Sequence, residues 1–223
     1  MRRQDLANRI DHTLLGPTAS AEGVRKLCEE AKKHGFISVC VNPCHAHLAS
    51  ELLKETDVKL CIVVGFPHGM ATGAVKAYEA QKAIAAGADE LDMVINVAAL
   101  IGGDYAAVLE DIQGVCSVAE KASRSVIVKV ILETALLDAE QKQAGAILVK
   151  AGGASFVKTS TGFGPGGATV EDVALLREVV GPEMGVKAAG GIRDYAAAVA
   201  MMEAGATRLG ASRSVAIVEA APE

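Results

Sequence analysis

The chain has 223 residues and a net charge of −5, and 51% of its residues are hydrophobic although only 3% are aromatic. This composition allows a large aliphatic core and excludes the basic surface that is typical of nucleic-acid-binding proteins. No apolar run reaches the roughly 18 residues of a transmembrane helix, and no apolar signal core follows Met1. Because the five cysteines are scattered, we expect a cytoplasmic protein with reduced thiols.

Short apolar segments alternate along the chain with amphipathic segments. The first helical stripe consists of Val24, Leu27, Cys28 and Ala31, and similar stripes begin at residues 105 and 173. The apolar segments are rich in valine and isoleucine and lack polar alternation, which is typical of parallel strands that are covered on both faces. They lie at residues 10–14, 38–41, 59–64, 90–94, 125–132, 156–159, 185–188 and 208–210.

Glycines mark several junctions between a helix and the next strand. Gly35, Gly87, Gly152 and Gly205 each follow a helical segment, where glycine supplies the left-handed residue that closes a helix. Three other junctions lie near residues 57, 123 and 181, and the seven junctions plus an opening strand give eight β/α units. The sequence therefore predicts a TIM (β/α)8 barrel that forms a single catalytic domain over residues 1–223. A doubly wound open sheet is the alternative.

Two lysines stand at the ends of predicted strands six and seven. Lys158 and Lys187 both interrupt apolar segments and precede glycine-rich loops. Neighbouring strands are about 4.8 Å apart, so the two amines lie close together if both point into the barrel. Burial and a second cation both lower the pKa of a lysine, and a neutral lysine forms a Schiff base with a carbonyl. The alternative is that both lysines extend into solvent.

Asp92 interrupts predicted strand four, and a buried carboxylate needs partners. The two lysines meet that need, and Asp92 then shuttles protons. Lys129, on the adjacent strand, is expected to pair with Asp92, and Asp11 is a further candidate on strand one. A turn-capping role at the start of strand four is assigned instead to Asp89 and Glu90, because they come first in the segment.

Glycine-rich loops follow strands six, seven and eight, and in this fold such loops form a recurrent phosphate site. We expect Ser212 and the amides of Gly190, Gly191 and Gly210 to donate to a phosphate, although ordinary βα turns also use glycine.

Two other motifs suggest different ligands. Residues 162–167 match the glycine spacing of a dinucleotide site, but they occur in the sixth unit instead of the first. Residues 40–47 hold two cysteines and two histidines, which suggests zinc, but their spacing matches no standard zinc motif. We therefore expect no metal, and we interpret Cys40 as a thiol that lines the barrel.

The sequence resembles the deoxyribose-phosphate aldolase family over nearly its whole length. The matching motifs are Ile10-Asp-His-Thr-Leu-Leu15, Val39-Cys-Val-Asn-Pro43, Glu90-Leu-Asp-Met-Val-Ile-Asn96, Val128-Lys-Val-Ile-Leu-Glu-Thr134, Phe156-Val-Lys-Thr-Ser-Thr-Gly162, Gly185-Val-Lys-Ala-Ala-Gly-Gly-Ile-Arg193 and Leu209-Gly-Ala-Ser212. The resemblance implies a class I aldolase of deoxyribose phosphate catabolism that needs no cofactor. Such an enzyme reversibly cleaves 2-deoxy-D-ribose 5-phosphate into acetaldehyde and D-glyceraldehyde 3-phosphate.

The resemblance also implies roles for individual residues. Lys158 is the Schiff-base nucleophile, Lys187 perturbs its pKa and joins proton transfer, and Asp92 is the proton donor and acceptor. The implied substrate pocket contains Asp11, Cys40, Lys129, Thr159 and Thr161. The implied phosphate site contains Gly162, Gly190, Gly191, Gly210 and Ser212. The expected partners are small phosphosugars and aldehydes and other copies of the chain, as a dimer or tetramer, but neither nucleic acid nor membrane.

The sequence departs from some family members at three places. Arg213 replaces a second serine next to the phosphate serine, and Phe163 stands where some members have a lysine. Some members end in a tyrosine that assists proton transfer, whereas this sequence ends Glu-Ala-Ala-Pro-Glu223. Two alternative functions stay open at this point: another phosphosugar lyase or isomerase on the same barrel, and a non-catalytic phosphosugar-binding protein.

Overall fold

Strands with few polar residues must be covered on both sides, and this chain achieves it by closing a barrel. The computed structural model describes residues 1–223 and has eight parallel strands that pair in chain order, with the last strand pairing with the first. The strands are β1 (Ile10–Leu14), β2 (Ser38–Val41), β3 (Lys59–Val64), β4 (Glu90–Val94), β5 (Ile127–Ile131), β6 (Phe156–Lys158), β7 (Gly185–Ala189) and β8 (Arg208–Ala211). The predicted TIM barrel is therefore confirmed, and the open sheet is wrong.

Ten α-helices surround the barrel. They are α1 (Arg3–Ala7), α2 (Ala21–His34), α3 (Ala46–Leu53), α4 (Gly73–Ala85), α5 (Val97–Ile101), α6 (Tyr105–Glu120), α7 (Ala139–Ala151), α8 (Val170–Val180), α9 (Tyr195–Glu203) and α10 (Ser214–Glu219). Side-chain caps fix where several of them begin. The Ser20 hydroxyl accepts from the Gly23 amide at the start of α2, and the Thr169 hydroxyl accepts from the Asp172 amide at the start of α8.

The glycine junctions explain how helices return to the sheet, with one correction. Gly35, Gly87 and Gly205 have positive φ, as predicted. Gly152 does not: its φ is −75°, and Gly153 takes the positive φ instead. The prediction for Gly152 is therefore wrong. A Cβ at residue 152 would lie only 2.4 Å from the Ile112 side chain, so close packing of α7 against α6 favours glycine there.

The hydrophobic core lies between the barrel and its helices, while the barrel interior is mainly polar. The predicted stripe of α2 is buried against the sheet. A small apolar cluster of Leu15, Cys40, Cys61 and Val63 occupies one side of the interior, and Phe66 packs against it. The rest of the interior holds charged side chains from six of the strands. None of the helices is both long enough and apolar enough to span a bilayer.

Candidate active site

Three carboxylates and four basic groups fill the interior of the barrel. They are Asp11, Glu90, Asp92, Lys129, Lys158, Lys187 and Arg208. All seven residues are buried. Strand register sets their positions, since Lys158 pairs with Lys187 and Asp92 pairs with Lys129 across neighbouring strands. Charges buried this deeply require partners, and each of the seven has at least one.

Asp92 is the centre of this network. Its Oδ2 accepts hydrogen bonds from the Nζ atoms of Lys158, at 2.7 Å, and of Lys187, at 2.6 Å. Its Oδ1 accepts from Lys129 Nζ, at 2.8 Å, and from Cys61 Sγ, at 3.1 Å. Burial raises the pKa of Asp92, but the three ammonium groups outweigh burial and hold this pKa well below its usual value. The predicted pairing of Asp92 with Lys129 and both other lysines is therefore present.

Lys158 and Lys187 differ in their access to solvent. Lys158 is the last residue of β6 and lines an open cavity, whereas Lys187 is fully buried and does not. The predicted position of Lys187 at the end of its strand is wrong, because β7 continues to Ala189. Its central position keeps the Lys187 ammonium below the cavity floor, between two carboxylates.

A second group of charges lies deeper in the barrel. Asp11 accepts from Lys187 and, at 2.7 Å, from Arg208. Burial lowers the pKa of Lys187, but the Asp11 and Asp92 carboxylates outweigh burial and raise this pKa above its usual value. Burial likewise raises the pKa of Asp11, and the surrounding cations more than reverse that effect. Asp11 therefore holds Lys187 from below and does not line the open cavity.

Sequence reasoning missed Glu90 and Arg208 as members of this network. Glu90 lies 2.6 Å from Lys129 Nζ and 3.0 Å from Arg208 Nη1. The turn-capping role assigned to Glu90 is wrong, because its side chain enters the barrel. Asp89 contacts the neighbouring strand instead of its own turn, since its carboxylate accepts from the Leu60 amide of β3 at 3.0 Å. Their positions gave no signal, because Glu90 and Arg208 are the first residues of β4 and β8, where a charged side chain normally reaches solvent.

The open cavity lies at the carboxyl ends of the strands and has a volume of about 350 Å³. Lys158 is its only lysine. Its wall includes six other predicted site residues: Thr161, Gly162, Gly190, Gly191, Gly210 and Ser212. A larger cavity of about 860 Å³ opens at the other end of the barrel, but it contains none of the predicted residues. The smaller cavity is therefore the one that fits chemistry at Lys158.

Backbone amides at the cavity rim are free to bind an anion. The N–H groups of Gly162, Gly190, Gly191 and Ser212 make no hydrogen bond within the chain. Gly190 and Gly191 both have positive φ, near 80°, which glycine adopts without strain. Convergent unpaired amides of this kind form anion-binding concavities in many proteins. The guanidinium groups of Arg193 and Arg213 also line the cavity, and Arg193 was not among the predicted site residues.

Two threonines shape the cavity in different ways. The Thr159 hydroxyl donates to the Ala189 carbonyl and accepts from the Ala189 amide, both at 3.1 Å, so Thr159 ties β6 to β7 beneath the cavity. The Thr161 amide and hydroxyl both donate to Glu133 Oε2. Glu133 is buried and has a left-handed backbone with φ of 59°. Sequence reasoning missed Glu133, although it belongs to one of the quoted motifs.

The alternative ligand motifs do not assemble. Cys40 faces the barrel interior, whereas Cys44 is exposed and His45 contacts the Ala19 carbonyl, so residues 40–47 do not converge on one point. Gly167 of the dinucleotide-like motif packs against Gly190, where a Cβ would lie 2.4 Å from the Gly190 oxygen. Cys40, Cys61 and Asp92 have ligand atoms within 4.8 Å of one another. However, three ammonium groups already occupy the oxygens of Asp92, which opposes a cation there.

The buried charges determine what the site is able to do. Four basic groups share three carboxylates, so the bases differ in how many carboxylate partners each one has. Lys158 has a single carboxylate partner, Asp92, and shares that oxygen with Lys187. Arg208 stays protonated in proteins, and Lys129 and Lys187 each contact two or more carboxylates. Lys158 is therefore the amine that this arrangement can supply to a carbonyl group in the cavity.

Comparison with known proteins agrees with this geometry. Residues 6–217 match the model of the DeoC/LacD family aldolases. A deoxyribose-phosphate aldolase from Caldanaerobacter subterraneus subsp. tengcongensis is 55% identical over 96% of this chain and 93% of the relative. One from Thermococcus gammatolerans is 58% identical over 97% of this chain and 96% of the relative.

A solved structure shows that the fold is similar as well as the sequence. The deoxyribose phosphate aldolase from Aeropyrum pernix, described as a unique tetrameric structure, has a TM-score of 0.90 and 40% identity. The match covers 97% of this chain and 91% of that one. With the family match over nearly the whole sequence and the same barrel in a solved relative, the chain belongs to the DeoC/LacD aldolase family.

Proposed function

We propose that this protein is a deoxyribose-phosphate aldolase, a lyase that cleaves 2-deoxy-D-ribose 5-phosphate reversibly through a Schiff base. One observation carries the proposal: Lys158 is the only lysine in the cavity, and it shares one oxygen of Asp92 with Lys187. Two deoxyribose-phosphate aldolases that are 55% and 58% identical to this chain support this substrate.

The reaction begins at the open-chain aldehyde of the sugar. The neutral amine of Lys158 attacks C1, and the carbinolamine takes up a proton and loses water to give a protonated imine. This cation withdraws electrons from the bond between C2 and C3. Removal of the proton from the C3 hydroxyl then breaks that bond, which releases D-glyceraldehyde 3-phosphate and leaves an enamine on Lys158. Protonation at C2 and hydrolysis of the imine release acetaldehyde and restore the amine.

Asp92 and Lys187 are the groups that we assign to proton transfer. Asp92 lies 2.7 Å from Lys158 Nζ, close enough to exchange protons with the reacting centre directly or through one water. Lys187 donates to the same carboxylate oxygen, so it favours the ionised form of Asp92. Lys129 and Asp11 hold these groups in place from below. Cys40 belongs to the apolar wall beside them.

The 5-phosphate is assigned to the rim of the cavity. Gly162, Gly190, Gly191, Gly210 and Ser212 would surround it, with unpaired amides at four of these five residues. The overall charge of −5 does not attract an anion, so local dipoles and the guanidinium groups at the rim must hold it. The chemistry assigned to Lys158 needs no metal or organic cofactor. We also propose that residues 1–223 act as one catalytic domain, and the tetrameric relative supports a homo-oligomer.

Reductive trapping tests the Schiff base. Acetaldehyde and borohydride should add an ethyl group to Lys158, and peptide mass spectrometry locates it. Lys142→Ala is the matched control, because Lys142 pairs with Asp172 outside the cavity and its loss should leave trapping unchanged. Labelling of another lysine, or no labelling while 2-deoxyribose 5-phosphate is being cleaved, would contradict the mechanism.

A further inference from the structure

Two cysteines lie side by side within the wall of the active site. Cys40 and Cys61 are direct partners in the register of β2 and β3, and both side chains face the barrel interior. Their Sγ atoms lie within 4.8 Å of each other, and both residues are fully buried. Directly paired strands place Cα atoms about 4.8 Å apart, which lies inside the range that a disulfide spans. The pair is therefore close enough to be bridged by a small movement of the two side chains.

One of these thiols, Cys61, donates a hydrogen bond to the Asp92 carboxylate. Cys61 Sγ donates to Asp92 Oδ1 at 3.1 Å and accepts from Lys129 Nζ at 3.3 Å. A disulfide would remove the Cys61 proton, so Asp92 would lose one of the two donors at that oxygen. Asp92 also orients Lys158 and Lys187 through its other oxygen. A change at Cys61 therefore affects Lys158 through one carboxylate, that of Asp92.

The two thiols differ in reactivity and in access. The neighbouring Cys61 thiol lowers the pKa of Cys40 against the effect of burial, and Lys187 and Lys158 act in the same direction. Burial raises the pKa of Cys61. Leu15 packs on Cys40 and also lines the open cavity, so a small solute in the cavity is one side chain away from Cys40.

We infer that Cys40 and Cys61 are a peroxide-sensitive dithiol, which closes to an intramolecular disulfide and switches off the site beside it. The inferred loss of turnover rests on the proposed aldolase function. The pairing of the two sulfurs does not. In a reducing compartment the thiols are the resting state, and such a disulfide forms only transiently during oxidation.

The chemistry balances with hydrogen peroxide as the oxidant. The Cys40 thiolate attacks one peroxide oxygen, the O–O bond breaks, and the departing hydroxide takes up the thiol proton to form water. This leaves a sulfenic acid on Cys40. The Cys61 sulfur then attacks the Cys40 sulfur, the S–O bond breaks, and hydroxide leaves with the Cys61 proton, which Asp92 is placed to relay. Two thiols have then lost two electrons and two protons, and peroxide has become two waters.

The test compares mass and activity on the same samples. The untreated protein is first assayed for cleavage of 2-deoxyribose 5-phosphate, and activity at that stage is required by the proposed function alone. It is then treated with hydrogen peroxide and digested without reductant. We expect a linked peptide that joins Cys40 to Cys61 and a fall in turnover of at least about tenfold, since a bond to a charged group is lost. Dithiothreitol should reverse both changes together.

Variants separate this pair from the other thiols. Cys44→Ser removes the exposed cysteine and should respond to peroxide as the parent protein does. Cys61→Ser keeps a hydroxyl near Asp92 but should form no linked peptide, and its activity is compared with its own untreated sample. The inference is overturned if peroxide oxidises Cys44 fully without linking Cys40 to Cys61. A complete Cys40–Cys61 link with unchanged turnover would overturn it equally.

Discussion

Asparagine at position 92 tests whether one ionised carboxylate organises the whole site. Asp92→Asn keeps the size of the side chain but removes the negative charge that three lysines share at 2.6–2.8 Å. The lysines would then be buried cations without their common partner. Breaking a buried ion pair from one side costs about 3–5 kcal/mol, so we expect the free energy of unfolding to fall by about that amount. Turnover should fall about 100- to 10,000-fold, the range expected when a proton-transfer group is lost.

The pH dependence of this stability difference gives a sharper criterion. The pKa of Asp92 is held well below its usual value in the folded protein, whereas the pKa of an unfolded aspartate is about 3.9. The carboxylate therefore stabilises the fold fully above the unfolded pKa, and this contribution is lost as pH falls through the folded pKa. Because asparagine does not titrate, the stability gap between the two proteins should be wide at pH 7 and narrower at pH 3.

Urea unfolding at pH 7, 5 and 3 measures that gap. Asp5→Asn is the matched control, because Asp5 pairs with Arg2 on the surface, where an ion pair contributes little to stability. A gap for Asp92→Asn no larger than that of the control, or one that does not narrow at pH 3, would refute the view that an ionised Asp92 holds the lysines together.

Three further substitutions test the roles of Lys187, Ser212 and Arg208. Lys187→Leu should lower turnover about 100-fold or more, because Asp92 Oδ2 would lose one of its two ammonium partners; turnover close to that of the parent protein argues against this. Ser212→Asp places a negative charge at the cavity rim, so it should raise KM for 2-deoxyribose 5-phosphate at least about tenfold and leave KM for unphosphorylated 2-deoxyribose unchanged. Equal effects on the two KM values would show that Ser212 does not contact the phosphate. Arg208→Met should lower the free energy of unfolding by about 3–5 kcal/mol, since Asp11 and Glu90 share its guanidinium; undiminished stability in urea would contradict that role.

Much of the barrel could be predicted because its strands are short and apolar on both faces. The bounds of the first four strands agree with the sequence patterns, and the later four differ by one or two residues. Lys158, Lys187 and Asp92 could be predicted as a group because each is a charge inside an apolar segment. The alternation of side chains along neighbouring strands then brings them to one face.

The supporting residues could not be predicted for a physical reason. Glu90 and Arg208 each start a strand, where a charged side chain normally reaches solvent, and only barrel closure turns them inward. Lys76 and Asp111 form a buried pair between α4 and α6, yet each looks like an ordinary surface residue of an amphipathic helix. Glu133 acts through the left-handed turn that it adopts, which no local sequence signal indicates. These contacts depend on elements that are distant in sequence.

The proposed mechanism requires Lys158 to form a covalent imine with the substrate. The most direct measurement is borohydride reduction during turnover of 2-deoxyribose 5-phosphate, followed by peptide mapping of the modified lysine. We predict a single reduced adduct on Lys158 that appears as catalytic activity is lost, and no adduct in Lys158→Ala. Full activity after reduction, or an adduct on any other lysine, would contradict it.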